Sequence, residues 1–220
     1  MLLLFLALLA TNERRTMAPQ DFIQIYVRQL AEMERVRDRA EAEIAADNAN
    51  DRVLGCIAYA ERASLELGAA INSFSNVRVT SQYVEASDAP DAIVGFYEQK
   101  RDLFRQMSGV CTKVAAGPKL GVDYQALPAE ITKIRARMEF IDRGQLDASS
   151  LAFFTLLSAT PDKFGKMSHL SITTEQKAAL LSQIESSFGA KLDRYPMQPS
   201  VVAVAIYRDK LREYAASDQP

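Results

Sequence analysis

Tryptophan is absent from this 220-residue chain, and histidine occurs once, as His169. A Ser-His-Asp or Cys-His site would need that single imidazole, whose neighbours Lys166, Met167, Ser168 and Leu170 form no recognised nucleophile setting. Bundle metal sites built on paired Glu-x-x-His motifs fail for the same reason, and two distant cysteines with one histidine make no zinc cluster. No catalytic, cofactor-binding or metal-binding residue is therefore assigned. Charge of one sign is also missing: 26 basic residues face 28 acidic ones. Without a basic cluster, neither nucleic acid nor an anionic membrane surface is an expected partner. Glycine (9) and proline (8) are sparse, which points to long helices joined by few turns.

After Ala10 no apolar run approaches the ~20 residues that a membrane-spanning helix requires, so the mature chain is expected not to span a membrane. The concentrated apolar stretch is residues 1–10 (MLLLFLALLA), followed by the polar stretch 11–16. Residues 1–18 read as a signal peptide or N-terminal apolar leader, with Ala10 or Ala18 as the last residue removed. The expected compartment is periplasmic or secreted; the alternative is membrane anchoring through a clipped N-terminal segment.

What the chain has is helical periodicity. Residues 19–46 place Phe22, Tyr26, Leu30, Met33, Val36, Ala40 and Ile44 on one stripe, and 51–74 repeat the pattern with Val53, Ile57, Ala60, Ser64, Leu67, Ile71 and Phe74. Over 89–116, Ile93, Tyr97, Phe104, Met107, Cys111 and Val114 share a face that only Lys100 interrupts. Asp88 is an expected cap with Pro90 in the first turn, and Gly117 and Pro118 end the helix. A fourth helix, opened by Pro128, is expected to close at Gly144. Residues 151–157 (LAFFTLL) then form a short helix buried all round, 164–170 a loop, and Thr173 with Gln176 a capping box. A last helix starts near Pro199. The fold class is all-α: an up-and-down bundle of about four long helices over 19–144, with a smaller C-terminal helical layer over 145–220 packed on it as one domain.

The two cysteines bear on the compartment. If the second and third helices are antiparallel, Cys56 and Cys111 lie at nearly equal distances on either side of a turn near residues 81–83. Facing positions on packed helices can reach the separation a disulfide needs, and an oxidising compartment would close it. The other reading is two buried small hydrophobes.

Two functional expectations follow. The first is a noncatalytic exported protein that binds another protein or assembles at the bacterial cell envelope. Its contact surface would be the linker 75–87, through Arg78, Gln82, Tyr83 and Glu85. The second is a ligand-binding bundle or carboxylate enzyme, with a pocket between the core and the C-terminal layer near Tyr124, Phe153, Phe154 and Tyr207. Its acids would be Glu61 with Glu66, or Glu130 with Glu139. The loop 117–124 (GPKLGVDY) lacks the preceding strand and the Gly-Lys-Ser/Thr spacing of a phosphate loop.

Overall fold

The apolar stripes become packed helix faces. The computed structural model describes residues 14–44, 49–80, 87–117, 123, 125–157, 169–193 and 199–217. Six α-helices lie among them: α1 (Pro19–Ile44), α2 (Ala49–Phe74), α3 (Ala89–Ala115), α4 (Leu127–Leu157), α5 (Thr174–Phe188) and α6 (Pro199–Glu213). A 3₁₀ segment, Gly189–Asp193, follows α5. The architecture is all-α, with two short parallel strand pairs added. One joins β1 (Arg15–Met17) to β2 (Val77–Val79), and the other joins β3 (His169–Thr173) to β4 (Ala215–Ser217).

Aromatic contacts fix how the helices run. Phe22 and Tyr26, early in α1, meet Phe74 at the end of α2, with ring centroids 5.5 and 6.0 Å apart in edge contact. Tyr59 and Phe104 repeat the edge geometry at 5.3 Å between α2 and α3. Early residues of one helix touch late residues of the next, so α1, α2 and α3 are successively antiparallel. Phe22, Tyr26, Leu67, Phe74 and Tyr97 are almost fully buried. Each contributes roughly 1.5–3 kcal/mol by leaving water. α3 packs on α4 in turn, whereas α1 and α4 meet little. The C-terminal layer closes this gap in part: α6 packs on α4 and α5 on α1. Gln183 Nε2 of α5 donates to the Gln24 carbonyl at 3.0 Å, and Lys191 binds Asp38 at 2.6 Å.

Four local expectations change. Helix α4 does not stop at Gly144 but runs on to Leu157, so the expected boundary between 19–144 and 145–220 falls inside one helix. The glycine is there for closeness: a Cβ on it would lie 2.8 Å from Phe96 Cε1. Its missing side chain lets α3's ring lie against α4's backbone, and the terminator reading fails because helical glycines also serve close approach. Second, β1 lies inside the span read as a leader. Met17 is 5% exposed in the core, and Arg14 pairs with Asp91 at 2.7 Å, so cleavage after Ala18 would remove a packed strand whereas cleavage after Ala10 would leave it. Third, part of the linker is β2, with Val77 and Val79 inward and Arg78 outward, the alternation a half-buried strand requires. Fourth, residues at the end of the expected loop 164–170 enter β3, where Leu170 and Ile172 are buried.

Other local readings hold. Gly117, at φ 68°, follows α3 in the left-handed conformation. Thr173 and Gln176 form a complete capping box, Thr173 Oγ1 accepting from the Gln176 amide and Gln176 Oε1 from the Thr173 amide. Asp88 occupies the cap position of α3 without a side-chain cap bond and instead faces Arg78 at 3.5 Å. Among the described residues no helix is long and apolar enough to cross a membrane.

Candidate functional site

Where α1 and α4 stand apart, a cavity of about 220 Å³ opens between them, with α2 and α3 behind it. Its floor is apolar because the stripes of four helices converge there: Leu30 and Met33 from α1, Tyr59 and Leu67 from α2, Phe104 from α3 and Met138 from α4. The rest of the lining is polar. α4 contributes Arg135, Glu139, Asp142 and Gln145, which at steps of three and four share one helix face. α1 contributes Glu34 and Arg37, and α3 contributes Tyr97 and Lys100.

A chain of polar contacts crosses the cavity's inner end. Lys100 Nζ pairs with Asp142 and donates to Gln145 Oε1 at 3.2 Å. Gln145 Nε2 in turn donates to Tyr26 Oη at 3.2 Å. Gln145 is 6% exposed, so these bonds satisfy an amide that would otherwise be destabilising in the interior. Burial pushes the Tyr97 hydroxyl well above its ordinary pKa, and the neighbouring Tyr26 raises it further; Tyr97 is therefore a neutral polar group at physiological pH. On the α1 side, buried Glu34 faces Arg37 at 3.5 Å and Lys191 at 3.7 Å. The cavity thus combines an apolar pocket with fixed charges, able to bind and orient a small amphipathic molecule.

The residues singled out from the sequence are only partly brought together. Cys56 and Cys111 lie at disulfide distance, with Cα atoms 6.3 Å apart, joining the start of α2 to the end of α3. Arg78 is exposed on β2, but its guanidinium is engaged with Ser87 at 2.9 Å and with Asp88. Gln82, Tyr83 and Glu85 lie outside the described residues, as do Tyr124 and the side chains of Phe153, Phe154 and His169. Tyr207 is buried in the core, where loss of water drives its pKa far above the usual range. Neither acid pair shares the cavity. Glu61 borders a separate groove with Arg105, and Glu66 does not line the cavity. Glu130 lies within 4.0 Å of Lys113, about 13 Å along α4 from Glu139. The described cavity lies among the four long helices rather than against α5 and α6.

Sequence reading missed Lys100, Asp142 and Gln145 as a site. One signal was present: Lys100 interrupts the apolar face of α3, and a charge on such a face needs a partner. Among the described residues no group of three or more His, Cys, Asp or Glu could hold a metal ion. Comparison with known proteins gives no match to a family model, a curated protein or a solved structure.

Proposed function

We propose that this chain is a noncatalytic binding protein of an oxidising compartment, periplasmic or secreted, that holds a small molecule between its long helices. The observation that carries the reading is the 220 Å³ cavity between α1 and α4, apolar beneath and charged around its opening, the combination typical of ligand sites between bundle helices. Its inner carboxylates support binding rather than chemistry. Glu34 faces Arg37 and Lys191, and Asp142 faces Lys100, so each anion serves to fix charge and position. The oxidising compartment is supported by the Cys56 and Cys111 sulfurs at disulfide distance and by the apolar run at residues 1–10, read as a leader.

Thermal melting against pools of small molecules tests the proposal, because a ligand bound only by the native state must stabilise it. At least one pool is expected to raise the melting temperature, by about 2–4 °C per kcal/mol of stabilisation. The rise should vanish in Met138→Trp, which fills the cavity. A flat response across broad pools would contradict it.

A second reading, binding another protein or assembling at the bacterial cell envelope, is favoured by exposed large apolar side chains. Leu54 and Leu65 on α2 are 59% and 73% exposed, and Phe140 on α4 is 79% exposed; Leu54 and Leu65, eleven residues apart, share one face of α2, and exposed apolar surface there is a candidate contact site. Loss of self-association or of partner recovery in Leu65→Ser and Phe140→Ser would support it, and retention would remove these faces from consideration.

A further inference from the structure

Resting on the cavity reading, we infer that the ligand is a small zwitterion with an apolar side chain, its carboxylate held by Arg135 and its ammonium by Glu139. Most charges around the cavity are matched by a neighbour of opposite sign. Glu34 is matched by Arg37 and Lys191, and Asp142 by Lys100. Two lining charges are left, Arg135 and Glu139, and among the described residues neither side chain has an ion pair or hydrogen bond. One cation and one anion therefore face the same opening without partners.

They stand one helical turn apart on α4, and their order explains why they do not satisfy each other. An acid ahead of a base at four-residue spacing is the favoured helical pair, and the reverse order found here is weaker. The separation suits a molecule carrying opposite charges on adjacent atoms. A guanidinium presents two parallel N–H donors to a carboxylate, and the Glu139 carboxylate accepts N–H bonds from an ammonium. A singly charged ligand would leave one of the two facing a like charge. Below the charges, Leu30, Met33, Phe104 and Met138 supply an apolar bed for a side chain. A cavity of about 150 Å³ accepts benzene, so about 220 Å³ admits a ring with a short charged head.

The test is calorimetric titration of the full chain with L-phenylalanine, phenethylamine, which lacks the carboxylate, and 3-phenylpropionate, which lacks the ammonium. L-Phenylalanine should bind several-fold more tightly than either analogue, since an exposed ion pair is worth up to about 1 kcal/mol. Arg135→Met should weaken L-phenylalanine towards phenethylamine, and Glu139→Gln should weaken it towards 3-phenylpropionate. Both residues are exposed, and unchanged melting of the free variants shows that the fold is retained. Equal binding of all three compounds, or affinity for L-phenylalanine unchanged in both variants, would overturn the zwitterion while leaving the cavity reading intact. No binding of any of the three, with other pool compounds still stabilising the chain, would do the same. No binding and no stabilisation by any compound would overturn both.

Discussion

Gln145 Nε2 donates to Tyr26 Oη at 3.2 Å, joining α4 to α1 across 119 residues of sequence. Those two helices otherwise meet little, so a single amide helps set the width of the cavity. Replacing it with an apolar isostere removes the bond to Tyr26 and the acceptor for Lys100. Gln145→Leu should therefore destabilise the chain by roughly 1–3 kcal/mol. Urea denaturation measures the change, and full stability in the variant would show that the polar crossing does not tie the two helices together.

The cysteine pair closes a loop with a sequence separation of 55. On chain-entropy grounds a bridge over that length contributes about 4 kcal/mol. The oxidised chain should be lighter by two hydrogens in an intact-mass measurement, and reductant should lower its melting temperature markedly. The double variant Cys56→Ala/Cys111→Ala should melt at the reduced value and show no response to reductant. A reductant-insensitive native chain would instead mean that the two sulfurs act only as core packing.

Tyr97 and Tyr207 give the alkaline behaviour a definite sign. Burial raises both hydroxyls above the ordinary tyrosine value of 10.0, so the folded state keeps protons that the unfolded state releases. The stability this represents is fully present below pH 10 and is lost as pH rises from there towards the folded values. Denaturation midpoints should hold steady through neutral pH and fall steeply above about 10. Tyrosinate absorbance should show a fraction of the eight tyrosines ionising only with unfolding; smooth titration of all eight in the folded chain would contradict the burial account.

Gly144 and Phe96 should couple. Alanine is favoured over glycine in a helix interior by about 1 kcal/mol, but a Cβ at residue 144 meets Phe96 Cε1 at 2.8 Å. Gly144→Ala should therefore yield little or none of that gain in the native background and the full gain in Phe96→Ala. A double-mutant cycle reads the difference. Equal effects in both backgrounds would mean that the ring moves aside freely.

The same pair shows where sequence reading reached its limit. Periodicity placed α1, α2 and α3 because their apolar residues recur at three and four, and Phe22, Tyr26, Leu67 and Tyr97 are buried as that spacing requires. The Thr173 and Gln176 capping box was legible because all its groups lie within four residues. Gly144 was not, since the reason for it is a ring on another helix. β1 was hidden, and at β2 the alternation of Val77 and Val79 with polar neighbours was too weak to define a strand, because each is three residues long and its partner lies some sixty residues away. The cavity was hidden more deeply. Lys100 showed only as a break in a stripe, and Asp142 and Gln145 gain meaning only when α3 and α4 bring them to it.

The most direct test of the cavity as a binding site is a methyl NMR titration of methionine-labelled full chain with the compound from the pools that most raises its melting temperature. Met33 and Met138 line the cavity, whereas Met17 is buried in β1 away from it. The account predicts that the Met33 and Met138 methyl signals shift along a saturable curve while Met17 stays in place. Saturable binding that leaves Met33 and Met138 unmoved would put the ligand elsewhere and contradict it.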